Sequence, residues 1–140
     1  MSPFSQCLVA LRTRYGIRQG ELAALVGYEQ SYISALEVGL KGPPTAELVE
    51  RICEGLSLSA EEKQRLHEAL CASQRKFTID VDAREDVYWM FRDLREQLSE
   101  LSEVQVRMIR DVVRLRDPQN RQVLKPIRSV KRNRFKEATM

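Results

Sequence analysis

Four hydrogen-bonding side chains stand close together between positions 30 and 34: Gln30, Ser31, Tyr32 and Ser34. The Gln30 amide donates and accepts at once, a pairing that matches the neighbouring acceptor and donor which adenine displays in a DNA major groove. Serine hydroxyls can meet several base edges, and a tyrosine ring can reach a thymine methyl or a phosphate. Arg18, Gln19 and Lys41 flank the group and can hold phosphates, which fixes register without reading sequence. Candidates for bond-making chemistry are poor by comparison. His67 is the single histidine, with no nucleophile or carboxylate pair at a telling spacing, and reads as a helix-surface residue. Cys7, Cys53 and Cys71 are an odd number without a CxxC pair, so no metal site is expected. Cys53 and Cys71 read as small buried hydrophobes. Neither an enzyme nor a cofactor or small-molecule ligand is expected.

The elements that would carry the polar group are two short helices and a corner. Leu22, Ala23, Leu25 and Val26 are read as the inward face of the first helix. Gly27 ends it, because glycine enters the left-handed backbone region without steric cost. Glu29 and Gln30 then open a second helix that buries Ile33 and Leu36 and turns Gln30, Ser31 and Ser34 outward. Ala23, four residues before Gly27 and ten before Ile33, is small enough for the two helices to cross closely.

In this stretch the chain resembles the helix-turn-helix domains of the lambda-repressor and Cro type, the XRE family. The positions that carry the resemblance are Gln19, Ala23, Gly27, Gln30, Ser31, Ile33, Leu36, Glu37 and Gly39. It covers about half the chain and implies a five-helix DNA-binding domain. It further implies that Gln19 contacts phosphate and supports Gln30, that Gln30, Ser31, Tyr32 and Ser34 lie in the groove, and that Lys41 contacts the DNA beyond the recognition helix. Arg18 would clamp a phosphate beside Gln19.

The remaining helices of that domain are legible locally. Ser2 and Pro3 start the first, on which Phe4, Leu8, Leu11 and Tyr15 recur at spacings of four, three and four, and Gly16 stops it before Ile17 plugs the core. Thr45 caps a helix from about Ala46 to Glu54 that Gly55 closes, after the loop from Gly39 to Thr45. Ser59 with Glu62 makes a capping box for a helix carrying Leu66, Ala69 and Leu70. Residues 1–76 form the expected DNA-binding domain, with nine basic and nine acidic residues, so its own attraction for phosphate is modest.

Residues 77–116 form a second region. Phe77, Ile79 and Val81 alternate with polar residues as either a strand or an extended linker. Asp82 with Glu85 reads as a capping box for a helix carrying Val87, Phe91, Leu94, Leu98 and Leu101, and Ser102 with Gln105 for a helix carrying Val104, Met108, Val112 and Leu115. The expected architecture is therefore all-α: five helices, a C-terminal helical hairpin and a flexible basic tail. The hairpin exposes apolar surface unless a partner covers it, so homodimerisation through Val87, Phe91, Leu94, Leu98, Met108 and Val112 is expected. Docking on its own first domain is the monomeric alternative. Residues 117–140 hold seven basic against two acidic residues and read as a flexible tail that attracts polyphosphate.

No apolar run approaches the roughly 20 residues of a membrane helix, and the N-terminus lacks a signal-peptide pattern, so a cytoplasmic protein is expected. The function these readings support is a sequence-specific DNA-binding regulator, a repressor working as a homodimer on an inverted repeat of double-stranded DNA. The competing reading is a protein-interaction module, an antitoxin or adaptor, working through the C-terminal apolar helices.

Overall fold

The computed structural model describes residues 1–115. The chain divides into two units, Met1–Asp80 and the part from Val81 onward. Five helices make up the first: α1 (Pro3–Arg14), α2 (Gln19–Val26), α3 (Gln30–Val38), α4 (Ala46–Gly55) and α5 (Ala60–Ala72). The second holds α6 (Glu85–Gln97) and α7 (Glu103–Arg114), and no strand occurs among the described residues.

One core joins the first five helices. α1 supplies Phe4, Leu8 and Leu11, α2 Leu22, Ala23 and Val26, α3 Ile33 and Leu36, α4 Leu48, Val49, Ile52 and Cys53, and α5 Leu66. α1 packs on α3 and α5, and α2 on α3 and α4. Ile17 packs against this core from its edge, as its position after Gly16 predicts. Ser2 caps α1 by accepting from the Ser5 amide at 3.2 Å, with Pro3 in the first helical position. At the other end of the domain the Ser73 hydroxyl accepts from the Phe4 amide at 2.8 Å and donates to the Ala69 carbonyl at 2.6 Å, tying the start of α1 to the end of α5.

Several expectations for this unit are corrected. Leu25 is 52% exposed rather than inward. Leu22, Ala23 and Val26 share one arc of α2, and at about 100° per residue Leu25 falls well to its side. Cys71 is exposed on α5, five residues beyond Leu66 and so about 140° round the helix from it, while Cys53 is buried as expected. Tyr15 ends outside the core and donates its hydroxyl to Glu62 at 2.7 Å. That bond, with Arg14 at 3.4 Å, engages the carboxylate that was expected to complete the Ser59 capping box, so only the half from the Glu62 amide to Ser59 forms, at 3.3 Å. Gly55 is the last helical residue of α4, not its stop. The chain reverses at Ser57, φ +50°, where the Leu58 amide reaches the Cys53 carbonyl at 3.0 Å and Leu58 drops into the core.

The alternation at Phe77, Ile79 and Val81, which runs across the boundary between the two units, is resolved as extended chain without a ladder, since no strand among the described residues pairs with it. The Asp82 capping box is also corrected: the cap falls two residues later, at Arg84, with no side-chain cap bond, and α6 starts at Glu85. Arg84 instead grips Asp86, at 3.0 and 2.8 Å, while Glu85 and Asp86 supply negative charge to the first turn. α7 does carry its full box, the Gln105 amide on Ser102 at 3.2 Å and the Ser102 amide on Gln105 Oε1 at 2.8 Å. Along the anticipated seam Val87, Phe91 and Leu94 are half-buried, whereas Leu98, Met108 and Val112 are exposed. Neither helix fully buries a side chain. The basic tail lies outside the described residues.

Candidate nucleic-acid interface

The corner between α2 and α3 is built from backbone chemistry before any side chain reads anything. Gly27 takes φ +74°, and the Tyr28 amide reaches back to the Ala23 carbonyl at 3.0 Å, closing α2 with the six-residue bond of a left-handed helix end. From α4, Arg51 donates to the Val26 carbonyl at 3.2 Å and so satisfies an acceptor the helix end leaves free. A side chain at Gly27 would be strained by the positive φ and would press on Arg51 Nη1 at 3.3 Å.

α3 presents two faces of different character. Ile33, Leu36 and Glu37 are buried, and Gln30 and Ser31 are exposed, with Ser34 and Tyr32 half-buried at the margins. Val38 continues the outer face, and Leu40 and Lys41 are exposed in the loop that follows. Arg18 is exposed at the cap of α2, where its backbone amide is held by the Glu21 carboxylate at 2.7 Å. Arg18, Gln30, Ser31 and Lys41 thus combine reach with exposure on α2, α3 and the adjoining loop. Small hydroxyl side chains beside Gln30 leave the outer face of α3 low enough for its backbone to approach a surface closely.

Gln19 is placed differently from the other polar candidates. Its amide nitrogen donates to Glu37 Oε2 at 2.6 Å, and the same carboxylate receives Arg12 Nε at 2.6 Å and Nη2 at 3.1 Å. Arg12 also donates to the Ile17 carbonyl at 3.0 Å. The hydrogen bond to Glu37 raises the Arg12 guanidinium above its ordinary pKa. The Gln30 amide lies instead beside Gly20, whose ideal Cβ position is 3.3 Å from Gln30 Oε1.

Sequence reasoning passed over Arg12, Tyr28 and Arg51 as contributors. A signal existed for the first, because Arg12 stands four residues after Leu8 and Glu37 four after Ile33, each polar residue on an inward helical period. No local pattern announces Tyr28, whose ring stacks on Tyr32 with centroids 5.3 Å apart. Burial raises the pKa of the Tyr32 hydroxyl, with Tyr28 a smaller cause, and the phenol stays neutral at physiological pH.

Comparison with known proteins agrees with this geometry. Residues 4–66, from the first turn of α1 into α5, match a family model described as a helix-turn-helix domain. No curated protein and no solved structure matches the chain.

Proposed function

Taking as premise that residues 4–66 belong to the helix-turn-helix family of XRE-like DNA-binding domains, we propose that the protein is a sequence-specific transcriptional regulator that represses by occupying its operator. The observation that carries this reading is the outer face of α3. Gln30, Ser31 and Ser34 stand there on a helix anchored by Ile33 and Leu36, with Arg18 and Lys41 exposed on the adjoining segments. Lying in a major groove, Gln30 pairs with adenine, the serines meet neighbouring bases, Arg18 and Lys41 hold phosphates, and Gln19 adds a phosphate contact.

One such helix reads only a few base pairs, and the charge of residues 1–76 is balanced. Two copies on an inverted repeat supply the missing affinity through effective concentration, and α6 and α7 provide the exposed apolar surface for joining them. Val87, Phe91, Leu94, Leu98, Met108 and Val112 are the residues assigned to that contact. A regulator of this kind works in the cytoplasm, where its DNA is held. Repression needs no chemistry beyond excluding polymerase.

Selection of bound fragments from a genomic DNA pool by the purified full chain, with Gln30→Ala in parallel, tests the reading. Enrichment of an inverted repeat by the wild type and its loss in the variant are expected. A single asymmetric half-site would remove the symmetric dimer from the proposal, and no enrichment at low salt would overturn DNA reading itself.

A further inference from the structure

Tyr32 stands half-buried at the margin of the outer face of α3, packed against the core and held there by its neighbours. Its ring stacks on Tyr28 at 5.3 Å between centroids and 23° between planes, an offset arrangement within the favourable range for aromatic pairs. Tyr28 is in turn covered by Arg51, whose guanidinium carbon lies 5.7 Å from the ring centroid. Arg51 is itself fixed at both ends, to the Val26 carbonyl at 3.2 Å and to Glu47 at 2.9 Å. Three residues from the turn, α3 and α4 therefore form one chain of contacts that ends on a half-buried aromatic ring beside Gln30 and Ser31.

A freely rotating tyrosine at the margin of a reading helix would lose rotamer freedom on binding, and that cost would subtract from whatever it contacts. A ring already fixed loses little. What a fixed apolar ring distinguishes among base pairs is the thymine methyl, the one apolar group that a base pair presents in the major groove.

From this we infer that Tyr28 and Arg51 are positioning residues that hold the Tyr32 ring so that it reads a thymine methyl in each half-site. The inference rests on the DNA-binding reading above. It assigns specificity to a pair of residues that touch no base.

Single replacement of each operator thymine by deoxyuridine, which removes only the methyl group, tests it on the full-length protein with the operator found by selection. Losing one buried methyl is worth about fourfold in affinity, so at one thymine per half-site the wild type should weaken by about that factor, and Tyr32→Ala should be indifferent there. Tyr28→Phe keeps the stack and should keep the penalty. Tyr28→Leu fills the space without stacking and should bring the penalty below twofold, as should Arg51→Met, with binding to DNA lacking the operator unchanged in both. The inference falls if the wild type is indifferent to every replacement. It falls equally if Tyr28→Leu retains the full penalty, or if Tyr28→Phe loses it. A wild type that selects no operator overturns the DNA-binding reading before any uracil is introduced.

Discussion

Arg12 and Glu37, 25 residues apart on α1 and α3, form a two-pronged ion pair at 2.6 and 3.1 Å with the Glu37 side chain only 5% exposed. Because Gln19 donates to the same carboxylate, one buried charge links the first three helices. Truncating a partner in such a pair leaves the other charge buried without compensation, a loss larger than the pair itself contributes. Glu37→Ala should therefore destabilise the domain by about 3 kcal/mol in urea unfolding. The double variant Arg12→Met with Glu37→Leu should cost less than Glu37→Ala alone. Equal costs would show that the ion pair is not coupled in this way.

Gly20 and Gln30 give a case in which stability and recognition should separate. Alanine is the better helix former, and Gly20→Ala in α2 should leave the unfolding free energy unchanged or raise it by at most about 1 kcal/mol, with the melting temperature unchanged or higher. The new methyl would sit 3.3 Å from Gln30 Oε1, and the flexible amide must move to admit it. Preference at the base pair assigned to Gln30 should weaken while thermal stability does not. Melting curves and operator selection on the same preparation check the two halves together.

The helical framework was legible in the sequence because each of α1 to α5 carries an apolar stripe together with a cap or a stop signal of its own. Errors arose where one residue satisfied a local rule that another element overrode. Glu62 sits three residues after Ser59, yet its carboxylate turns to Tyr15 on α1, a partner 47 residues away in the chain. Ser57 makes a left-handed turn that composition would assign to Gly55, because the burial of Leu58 decides where the chain must reverse. In the candidate interface the exposure of Gln30 and Ser31 followed from helical phase alone. The supports behind them, Arg51 on Tyr28 and Tyr28 on Tyr32, depend on the packing of α4 against α2, which brings Arg51 to the turn, and leave no mark in local spacing.

The three cysteines should be distinguishable by alkylation. Cys71 is exposed, Cys7 half-buried and Cys53 buried, so labelling of the native protein should proceed in that order, with Cys53 modified only on unfolding. Burial is the main cause that raises the pKa of both Cys7 and Cys53 above the ordinary thiol value of about 8.5. With folded values above unfolded ones, the native state holds these protons longer. Their contribution to stability is complete below about pH 8.5 and is lost as pH rises through the folded values. Denaturation midpoints should fall on the alkaline side, and Cys53→Ala should flatten part of that slope. Mass spectrometry of the labelled peptides and a pH series of urea titrations provide the measurements.

Dimerisation can be tested apart from DNA binding because α6 and α7 lie outside the compact unit that holds α3. Val104, Met108 and Val112 are each more than 60% exposed in the single chain and follow one another along a single face of α7, with Leu115 exposed at its cap. Burying a valine or methionine is worth about 1.5 to 3 kcal/mol, and a two-fold contact counts each substitution twice. Met108→Asp with Val112→Asp should then convert a dimer to a monomer at micromolar concentration, read as a halved mass by sedimentation. Far-ultraviolet helicity of the first unit should persist, since neither position contributes to its core. On DNA the same variant should lose most of its affinity for the inverted repeat and almost none for an isolated half-site. A wild type that sediments at the mass of one chain would remove α6 and α7 from the dimer proposal and leave recognition by α3 to be judged on the half-site alone.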